Sequence, residues 1–156
     1  MTSRAPSNDP LCNCLALRQA SRYVTGVYDQ VLSEAGLRVT QFSILYTLLG
    51  LGSMTVNQMS TQLVMDRTTL TRNLKPLERD ALVTTGPSEH DKRERVIGLT
   101  PAGKAKVKAV LPLWRRAQQA FEQNFGSERA VELRALLRAV VETGIHDIHD
   151  GDADPS

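Results

Sequence analysis

The sequence of 156 residues is poor in aromatic residues and in cysteine. Phe, Trp and Tyr together make up 4% of the chain, so aliphatic Leu, Val and Ala must supply the core. No run of 18 apolar residues is present, which excludes an ordinary membrane-spanning helix and a membrane partner. The two cysteines, Cys12 and Cys14, are too close for an unstrained disulfide. We therefore expect a cytoplasmic protein rather than a secreted disulfide scaffold.

The chain also lacks the short motifs that mark the common enzyme classes. It contains no Gly-x-Ser-x-Gly, no P-loop, no Gly-x-Gly-x-x-Gly and no His-Glu-x-x-His. The segments with strand character are too few and too short to form a doubly wound sheet. These absences predict that the protein is not an enzyme and carries no cofactor.

The charge balance does not by itself indicate a nucleic-acid partner. The formal net charge is +2, so any basic surface has to be local. Residues 1–10 lack the apolar core of a signal peptide, and we predict a disordered lead there. Residues 149–156 are predicted to form a disordered acidic tail. His146 and His149 have the spacing of helical metal ligands, but their position at a fraying end favours no metal site.

Apolar periodicity predicts long helices at both ends of the chain. The first runs over about residues 11–34, and a second helix is predicted to begin at the capping residue Thr40. A later long helix is predicted to begin at Thr100-Pro101, and a last one at the capping residue Ser127. A symmetric helical interface would bury their apolar stripes, and packing within one chain is the alternative. The stripes consist of Leu17, Ala20, Val24, Val27 and Val31, then Val107, Val110, Leu111, Trp114, Ala117, Phe121 and Phe125, then Leu133, Leu136, Leu137, Val140 and Val141.

Between the long helices, the pattern predicts a helix pair followed by a hairpin. Helices are predicted over residues 56–63 and 67–80, separated by a tight turn, with Thr55 opening the first and Asp66 capping the second. Segments 82–85 and 95–99 are rich in β-branched residues and predict a two-stranded hairpin with a charged tip. A helix pair with a tight turn and a following hairpin forms a winged helix-turn-helix. The predicted fold class is therefore mainly α with a small β-hairpin wing.

The second helix of that pair separates an apolar edge from a basic face. Leu70, Leu74 and Leu77 fall within about 60° of one another and form the buried edge. The opposite face carries no acid and offers hydroxyl and cationic groups, which read base edges and neutralise phosphates. Arg67 and Thr69 flank that face at the helix start, where backbone N–H groups favour a phosphate. The face consists of Thr68, Thr71, Arg72, Lys75 and Arg79.

The hairpin tip carries a compact group of charges. It has the sequence Asp91-Lys-Arg93-Glu-Arg95 and is followed by Leu99-Thr100 and Gly103. An arginine on a wing tip can enter a narrow minor groove, and a nearby acid can brace its stem. A solvated charged surface is the alternative interpretation of both this tip and the basic helix face.

The arrangement Asp91-x-Arg93, Leu99-Thr100 and Gly103 resembles the wing-to-helix signature of the MarR family. The segment Leu74-Lys-Pro-Leu-Glu-Arg-Asp-Ala-Leu-Val83 is similar to the end of that family's recognition helix. The resemblance extends over most of the chain, with the elements in the family's order.

The resemblance implies a homodimeric DNA-binding transcriptional regulator with N- and C-terminal dimerisation helices. Residues 36–100 would form the winged helix-turn-helix domain, and residues 11–35 and 101–148 the dimerisation region. Such a dimer is expected to bind a palindromic operator as a repressor and to release it when a phenol or aromatic acid binds. One departure is Asp80-Ala81, where the family often has glycine, and it affects only the turn.

Residue roles follow from the same resemblance. Arg93 would lie in the minor groove and Asp91 would orient it, with Arg95 beside them. The recognition helix would face the major groove, flanked by Arg67. Its contact residues would be Thr68, Thr69, Thr71, Arg72 and Lys75.

Candidate effector residues lie on the first two helices. Arg18 and Arg22 are one helical turn apart and could hold a carboxylate, while Phe42 and Tyr46 could line an apolar wall. The alternative is a structural role for each, since arginines pair with local acids and aromatic rings pack in cores.

Cys12 and Cys14 admit two interpretations. They could form a thiol switch, or half of a soft-metal site shared across a dimer. We favour the other interpretation, two partly buried cysteines that act as small hydrophobic residues. A winged-helix protein-interaction module without DNA binding is a further alternative, but such modules lose the basic face that Arg72, Lys75 and Arg93 provide here.

Overall fold

The computed structural model describes residues 12–145, in which six α-helices and three short strands follow one another. The predicted lead over residues 1–10, the predicted tail over residues 149–156, and His146 and His149 lie outside the described residues. None of the helices found in residues 12–145 has the length and apolar character needed to cross a membrane. The elements are α1 (Asn13–Leu32), a 3-10 turn (Ser33–Ala35), α2 (Val39–Leu51), β1 (Met54–Thr55), α3 (Val56–Leu63), α4 (Arg67–Arg79), β2 (Val83–Pro87), β3 (Arg95–Leu99), α5 (Pro101–Phe125) and α6 (Ser127–Glu142).

Helix α1 carries the predicted apolar stripe, and within residues 12–145 only its C-terminal end is buried. Tyr28 and Leu32 are buried and Val31 is half-buried, whereas all side chains of residues 12–23 are exposed. The 3-10 turn then leads to Gly36, whose φ of 70° lies in the left-handed region that glycine adopts without strain. The C-terminal end of α1 therefore belongs to the core, and its N-terminal half does not.

Helix α2 begins at Val39 with Arg38 as its N-cap residue, so the prediction of Thr40 as the cap was wrong. The Asp29 Oδ1 atom on α1 accepts a hydrogen bond from the Val39 N–H at 2.7 Å. Gln41 Oε1 accepts another from the Arg38 N–H at 3.0 Å. Because Asp29 reaches the helix start from ten residues away, local sequence could not identify it as a cap.

Helices α3 and α4 begin where their capping residues predict. Thr55 Oγ1 accepts from the Gln58 N–H at 3.1 Å, and Gln58 Oε1 accepts from the Thr55 N–H at 2.8 Å. Between the two helices, Val64 has a φ of 49°, and this left-handed conformation reverses the chain. Helix α4 continues through Pro76 and ends at Arg79. The two helices and their turn form a helix-turn-helix.

The wing is a three-stranded antiparallel sheet, not the two-stranded hairpin that the sequence predicts. Strand β3 lies in the middle, between β2 and the two-residue β1. Met54 pairs with Ile97, and Thr55 pairs with Val96. A strand of two residues is too short to show the alternation that predicts strands, which explains why it was missed. Because Met54 and Ile97 are buried, β1 attaches the wing to the helical core.

The start of α5 fits closely against the turn that follows α4. The Thr100 hydroxyl donates to the Ala81 carbonyl at 2.7 Å and accepts from the Gly103 N–H at 2.9 Å. The Thr100 N–H donates to the Leu82 carbonyl at 3.1 Å. A Cβ on Gly103 would overlap that same carbonyl oxygen and lie 2.6 Å from Leu99 Cδ1. The Thr100-x-x-Gly103 spacing is therefore a packing requirement of this junction.

One aliphatic core joins α2, α3, α4, the sheet and neighbouring parts of α1 and α5. Its composition follows the low aromatic content of the chain, because leucine and other aliphatic side chains supply most of it. The largest fully buried side chains are Leu32, Ile44, Leu45, Met59, Leu70, Leu77, Ile97, Val107 and Val110.

The chain divides into two compact units inside α5, between residues 117 and 118. In the second unit, the rings of Phe121 and Phe125 lie 5.4 Å apart between centroids. The Arg129 guanidinium stands over the Phe125 ring, 4.4 Å from its centroid. A cation over an aromatic face is attracted by the ring quadrupole, so this contact fastens the start of α6 to the end of α5.

Helix α6 buries little of its surface. Gly126, not the predicted Ser127, occupies its N-cap position. Ala130 is buried and Leu133 is half-buried, but the apolar residues further along the predicted stripe are exposed. The large exposed apolar residues of α6 are Val131, Leu136, Leu137, Val140 and Val141.

Candidate nucleic-acid interface

The N-terminus of α4 is closed by an ionised carboxylate. Asp66 Oδ1 accepts from the Thr69 N–H at 2.8 Å, and Asp66 Oδ2 accepts from the Thr69 hydroxyl at 2.6 Å. The Thr69 side-chain hydrogen bond, followed by the backbone one, holds the pKa of Asp66 below its ordinary value of 3.8. A carboxylate already occupies the position that free N–H groups would offer to an anion. The expectation of a phosphate at this helix start stays a prediction, and one of the N–H groups it relied on, that of Thr69, already donates to Asp66.

Five of the predicted contact residues line one shallow groove along α4. On the other side of the helix, Leu70, Leu74 and Leu77 are buried in the core, as the periodicity predicts. Within residues 12–145, none of the three cations in the groove forms an ion pair. Arg79 is not part of the groove and pairs instead with the neighbouring Asp80 at 3.2 Å. The groove residues are Arg67, Thr68, Thr71, Arg72 and Lys75.

Thr69 differs from the other predicted contact residues because its polar groups serve the helix itself. Its side chain is half-buried, and its hydroxyl proton is given to Asp66. The Asn73 side-chain amide donates to the Thr69 carbonyl oxygen at 2.9 Å. The structure thus places Thr69 at the capped end of α4 and outside the groove.

The acid near the other end of α4 is directed towards the sheet. The Glu78 carboxylate accepts a hydrogen bond from the Thr85 hydroxyl on β2. That contact holds the carboxylate against the strand, and Glu78 forms no ion pair with the three cations of the groove in residues 12–145.

The wing presents an arginine that an aspartate holds at its base. Asp91 Oδ1 accepts hydrogen bonds from the Arg93 N–H at 2.9 Å and from Arg93 Nε at 3.3 Å. The Arg93 side chain remains 91% exposed, so its terminal nitrogens are free to contact a ligand. This geometry matches the bracing of an arginine stem by a nearby acid that the sequence predicts.

The wing loop is closed by main-chain hydrogen bonds. The Ser88 N–H donates to the Glu94 carbonyl, and the Glu94 N–H donates to the Asp91 carbonyl, each at 2.9 Å. Arg95 is exposed at the first position of β3, where it pairs in register with Pro87. The loop therefore carries Arg93 on a hydrogen-bonded frame and not on a loose segment.

Phe42 and Tyr46 belong to a cluster of three rings that includes Trp114 of α5. The ring centroids of Phe42 and Tyr46 are 5.7 Å apart, and each lies 6.4 Å from Trp114. Phe42 is buried, Trp114 is half-buried and Tyr46 is exposed, so the cluster reaches from the core to the surface. The sequence places Trp114 in an apolar stripe, and only the fold shows that it contacts these rings.

Arg18 and Arg22 lie on the exposed N-terminal half of α1. Within residues 12–145, no ion pair neutralises either arginine. No hydrogen bond or ring contact in that range joins them to Phe42 or Tyr46. The expectation that they pair with local acids is therefore wrong for the described chain.

The interpretation of Cys12 and Cys14 as partly buried hydrophobic residues is also wrong, because both thiols are free and exposed. Cys12 is the N-cap residue of α1, and its Sγ accepts a hydrogen bond from the Leu15 N–H at 3.4 Å. Cys14 lies in the first turn of the same helix. Exposure leaves both thiols accessible to oxidants.

Comparison with known proteins identifies the relatives of this chain. A family model described as the MarR family matches residues 35–94, which include the helix-turn-helix, strands β1 and β2 and the wing loop up to the start of β3. The organic hydroperoxide resistance transcriptional regulator of Bacillus subtilis is 37% identical over 98 residues, or 62% of this chain and 67% of that protein. The HTH-type transcriptional repressor NicR of Pseudomonas putida is 28% identical over 121 residues, or 78% of this chain and 75% of that protein.

A solved structure extends the similarity to most of the chain. The transcriptional regulator MosR of Mycobacterium tuberculosis, in complex with DNA, superimposes with a TM-score of 0.72 and 32% identity. The match covers 85% of this chain and 98% of that chain. Together with the fold and the basic groove on α4, these relatives show that the chain belongs to the MarR family and is a DNA-binding transcriptional regulator, not an enzyme.

Proposed function

We propose that the protein is a cytoplasmic homodimeric repressor that binds a palindromic operator through α4 and the wing, and that a small effector releases it. One observation carries the DNA-contact assignment. A single face of α4 presents two hydroxyls and three cations that form no ion pair within residues 12–145, while the wing presents an exposed Arg93 held by Asp91. Hydroxyls and cations supply both base-edge and phosphate contacts, and an arginine suits a narrow minor groove.

The major-groove contacts proposed here are Thr68, Thr71, Arg72 and Lys75, with Arg67 at their edge. Thr69 is proposed to contribute to DNA binding from its position at the capped end of α4. On the wing, Arg93 would enter the minor groove, with Asp91 holding its stem and Arg95 near the backbone. In this proposal residues 36–100 form the DNA-binding domain.

The dimer is proposed from apolar surface that residues 12–145 leave exposed. The N-terminal half of α1 exposes Leu15 and Leu17, and α6 exposes Leu136, Val140 and Val141. Large exposed apolar patches mark interaction sites, and a second copy supplies a matching surface by symmetry. We assign residues 11–35 and 101–148 to this interface. A two-fold dimer would place two α4 helices on half-sites about 34 Å apart, which favours a palindromic operator.

The ring cluster of Phe42, Tyr46 and Trp114 supports an aromatic effector. Its surface edge at Tyr46 offers an apolar wall with a hydroxyl, which suits a phenol or an aromatic acid. Arg18 and Arg22 are unpaired within the described chain and provide a second group for a carboxylate. Since Trp114 is the only tryptophan of the sequence, its fluorescence would report binding directly.

A second candidate signal is oxidation of Cys12 or Cys14. Both thiols are exposed, and one relative is named as an organic hydroperoxide resistance regulator. A cysteine thiolate attacks the peroxide O–O bond to give a sulfenic acid and an alcohol. If this response operates, an organic hydroperoxide should release the operator from wild type and not from the Cys12→Ser/Cys14→Ser variant.

The test of the proposed function is a fluorescence-anisotropy titration at two salt concentrations. The probe is the duplex upstream of the protein's own gene, and unrelated duplex is the competitor. Binding that survives competitor and weakens with salt supports a specific regulator, since phosphate contacts set the salt dependence and base contacts the specificity. If no duplex, including those selected from a random library, is bound at low salt, a winged-helix protein-interaction module replaces this proposal.

A further inference from the structure

The Asp66–Thr69 pair at the start of α4 offers only hydrogen-bond acceptors to a ligand of the proposed interface. The ionised Asp66 carboxylate has no proton to donate. Thr69 has one hydroxyl proton and one N–H, and both are given to Asp66, at 2.6 Å and 2.8 Å. What remains on the surface of the pair is a set of oxygen lone pairs.

The neighbouring groove has the opposite character. Arg67, Arg72 and Lys75 are cationic donors, and the hydroxyls of Thr68 and Thr71 make no hydrogen bond in the described chain that would fix their protons. Phosphates carry only acceptors, so the groove attracts them and the Asp66–Thr69 pair repels them. A stable complex therefore requires that this pair face something other than the DNA backbone.

The major groove contains base groups that an acceptor-only pair can bind. Cytosine N4 and adenine N6 are amino donors, whereas guanine O6 and thymine O4 are acceptors. Resting on the proposed operator binding, we propose that the Asp66–Thr69 pair selects a cytosine or an adenine at one position of each half-site. Guanine or thymine at that position meets two facing sets of acceptors and is rejected.

The chain offers a matched control for this proposal. Glu78, on the same helix, also accepts a hydrogen bond from a threonine hydroxyl, that of Thr85 on β2. The variants Asp66→Asn and Glu78→Gln each remove one negative charge and keep an oxygen acceptor. The two variants change opposite ends of α4. A general effect of the lost charge on DNA binding should therefore appear in both variants, whereas a changed base preference should appear only in Asp66→Asn.

Asp66→Asn changes the hydrogen-bond character of the pair while keeping the cap. The asparagine oxygen still accepts from the Thr69 N–H, as asparagine is among the best N-cap residues. Its amide then donates to Thr69 Oγ1, which frees the hydroxyl proton. The pair becomes able to donate, so the preference for an amino base should relax.

The experiment is selection of operator half-sites from a random duplex library by the full-length wild type and both variants. We expect wild type and Glu78→Gln to share one strongly preferred cytosine or adenine that Asp66→Asn no longer distinguishes, with discrimination lowered about tenfold. Thermal unfolding of all three proteins checks that each is folded. If Asp66→Asn retains the same base preference at every position, the inference is wrong and Asp66 is only a cap.

A DNA-side measurement keeps the test independent of the variant's stability. Replacing the selected adenine by purine, or cytosine by 2-pyrimidinone, removes only the amino group. Wild type should lose about tenfold in affinity, and undiminished wild-type binding would overturn the inference. Failure of the proposed function has a different signature, because wild type itself would then enrich no sequence.

Discussion

Helices α4 and α6 are both amphipathic, and the chain treats their apolar sides differently. On α4, Leu70, Leu74 and Leu77 are all buried within the chain. On α6, Leu136 remains 66% exposed and Val140 51%. The apolar side of α4 is buried in the core, so its polar face is available for a ligand. Helix α6 keeps an apolar face that water does not favour, and the proposed dimer would cover that face.

The strongest way to break this comparison is to place a charge on the apolar face of α6. We expect Leu136→Glu to prevent dimerisation, because the carboxylate would have to be buried unpaired. Operator affinity should then fall by about a hundredfold or more, since a monomer engages only one half-site. Light scattering gives the mass, and anisotropy gives the affinity. Leu51→Glu is the control at a similarly exposed leucine of α2, and equal loss of dimer in both variants would refute the assignment of α6.

Removing the wing arginine tests the polar surface that the protein is proposed to use for DNA binding. Arg93→Ala should lower operator affinity by about tenfold to a hundredfold and leave the dimer intact, because the Arg93 side chain is 91% exposed and its ion pair in the described chain is with Asp91 of the same loop. The salt dependence of binding should also become less steep. Unchanged affinity in an anisotropy titration would exclude the proposed minor-groove role.

A substitution at Gly103 tests how closely the start of α5 packs against the turn that follows α4. Gly103→Ala should destabilise the fold by about 1–3 kcal/mol, because the new Cβ would overlap the Leu82 carbonyl oxygen. Denaturant unfolding measures the free energy. Gly50→Ala is the matched control inside α2, where a Cβ meets nothing within 4 Å, and it should stabilise by about 0.5–1 kcal/mol. Similar effects of both substitutions would contradict the close-packed junction.

A substitution at Ala81 should change the stability by a smaller amount and in the opposite direction to Gly103→Ala. The Ala81 φ of 55° lies in the left-handed region, in the turn where the Leu82 N–H donates to the Leu77 carbonyl at 2.9 Å. Ala81→Gly should stabilise the protein by about 1 kcal/mol because it removes the steric cost of a Cβ there. The melting temperature should rise, and a fall would show that this turn is not strained.

The smallest expected effect is the pH dependence contributed by Asp66. Its folded-state pKa is lowered, so its hydrogen bonds to Thr69 stabilise the fold above the ordinary value of 3.8. That contribution is lost as the pH falls through the lower folded-state pKa. Unfolding curves of wild type and Asp66→Asn should therefore converge in acid. A difference that stays constant across that pH range would contradict the carboxylate assignment.

Local sequence predicts those parts of the molecule that depend on local rules. Thr55 and Asp66 begin α3 and α4 because a capping side chain acts within three residues. The spacing of Leu70, Leu74 and Leu77 predicts which side of α4 is buried, and that side fixes the groove opposite it. The Asp91–Arg93 contact spans two residues, so it too follows from the chain.

Tertiary structure decides the features that join distant residues. The Asp29 cap of α2, the strand β1 beside Ile97 and the contact of Trp114 with Phe42 each require that separate segments come together. The exposure of Cys12 and of the α6 apolar face is likewise a property of the whole fold, because burial depends on which neighbours arrive. Periodicity determines which side of a helix is apolar, and only the packed structure determines whether that side is covered.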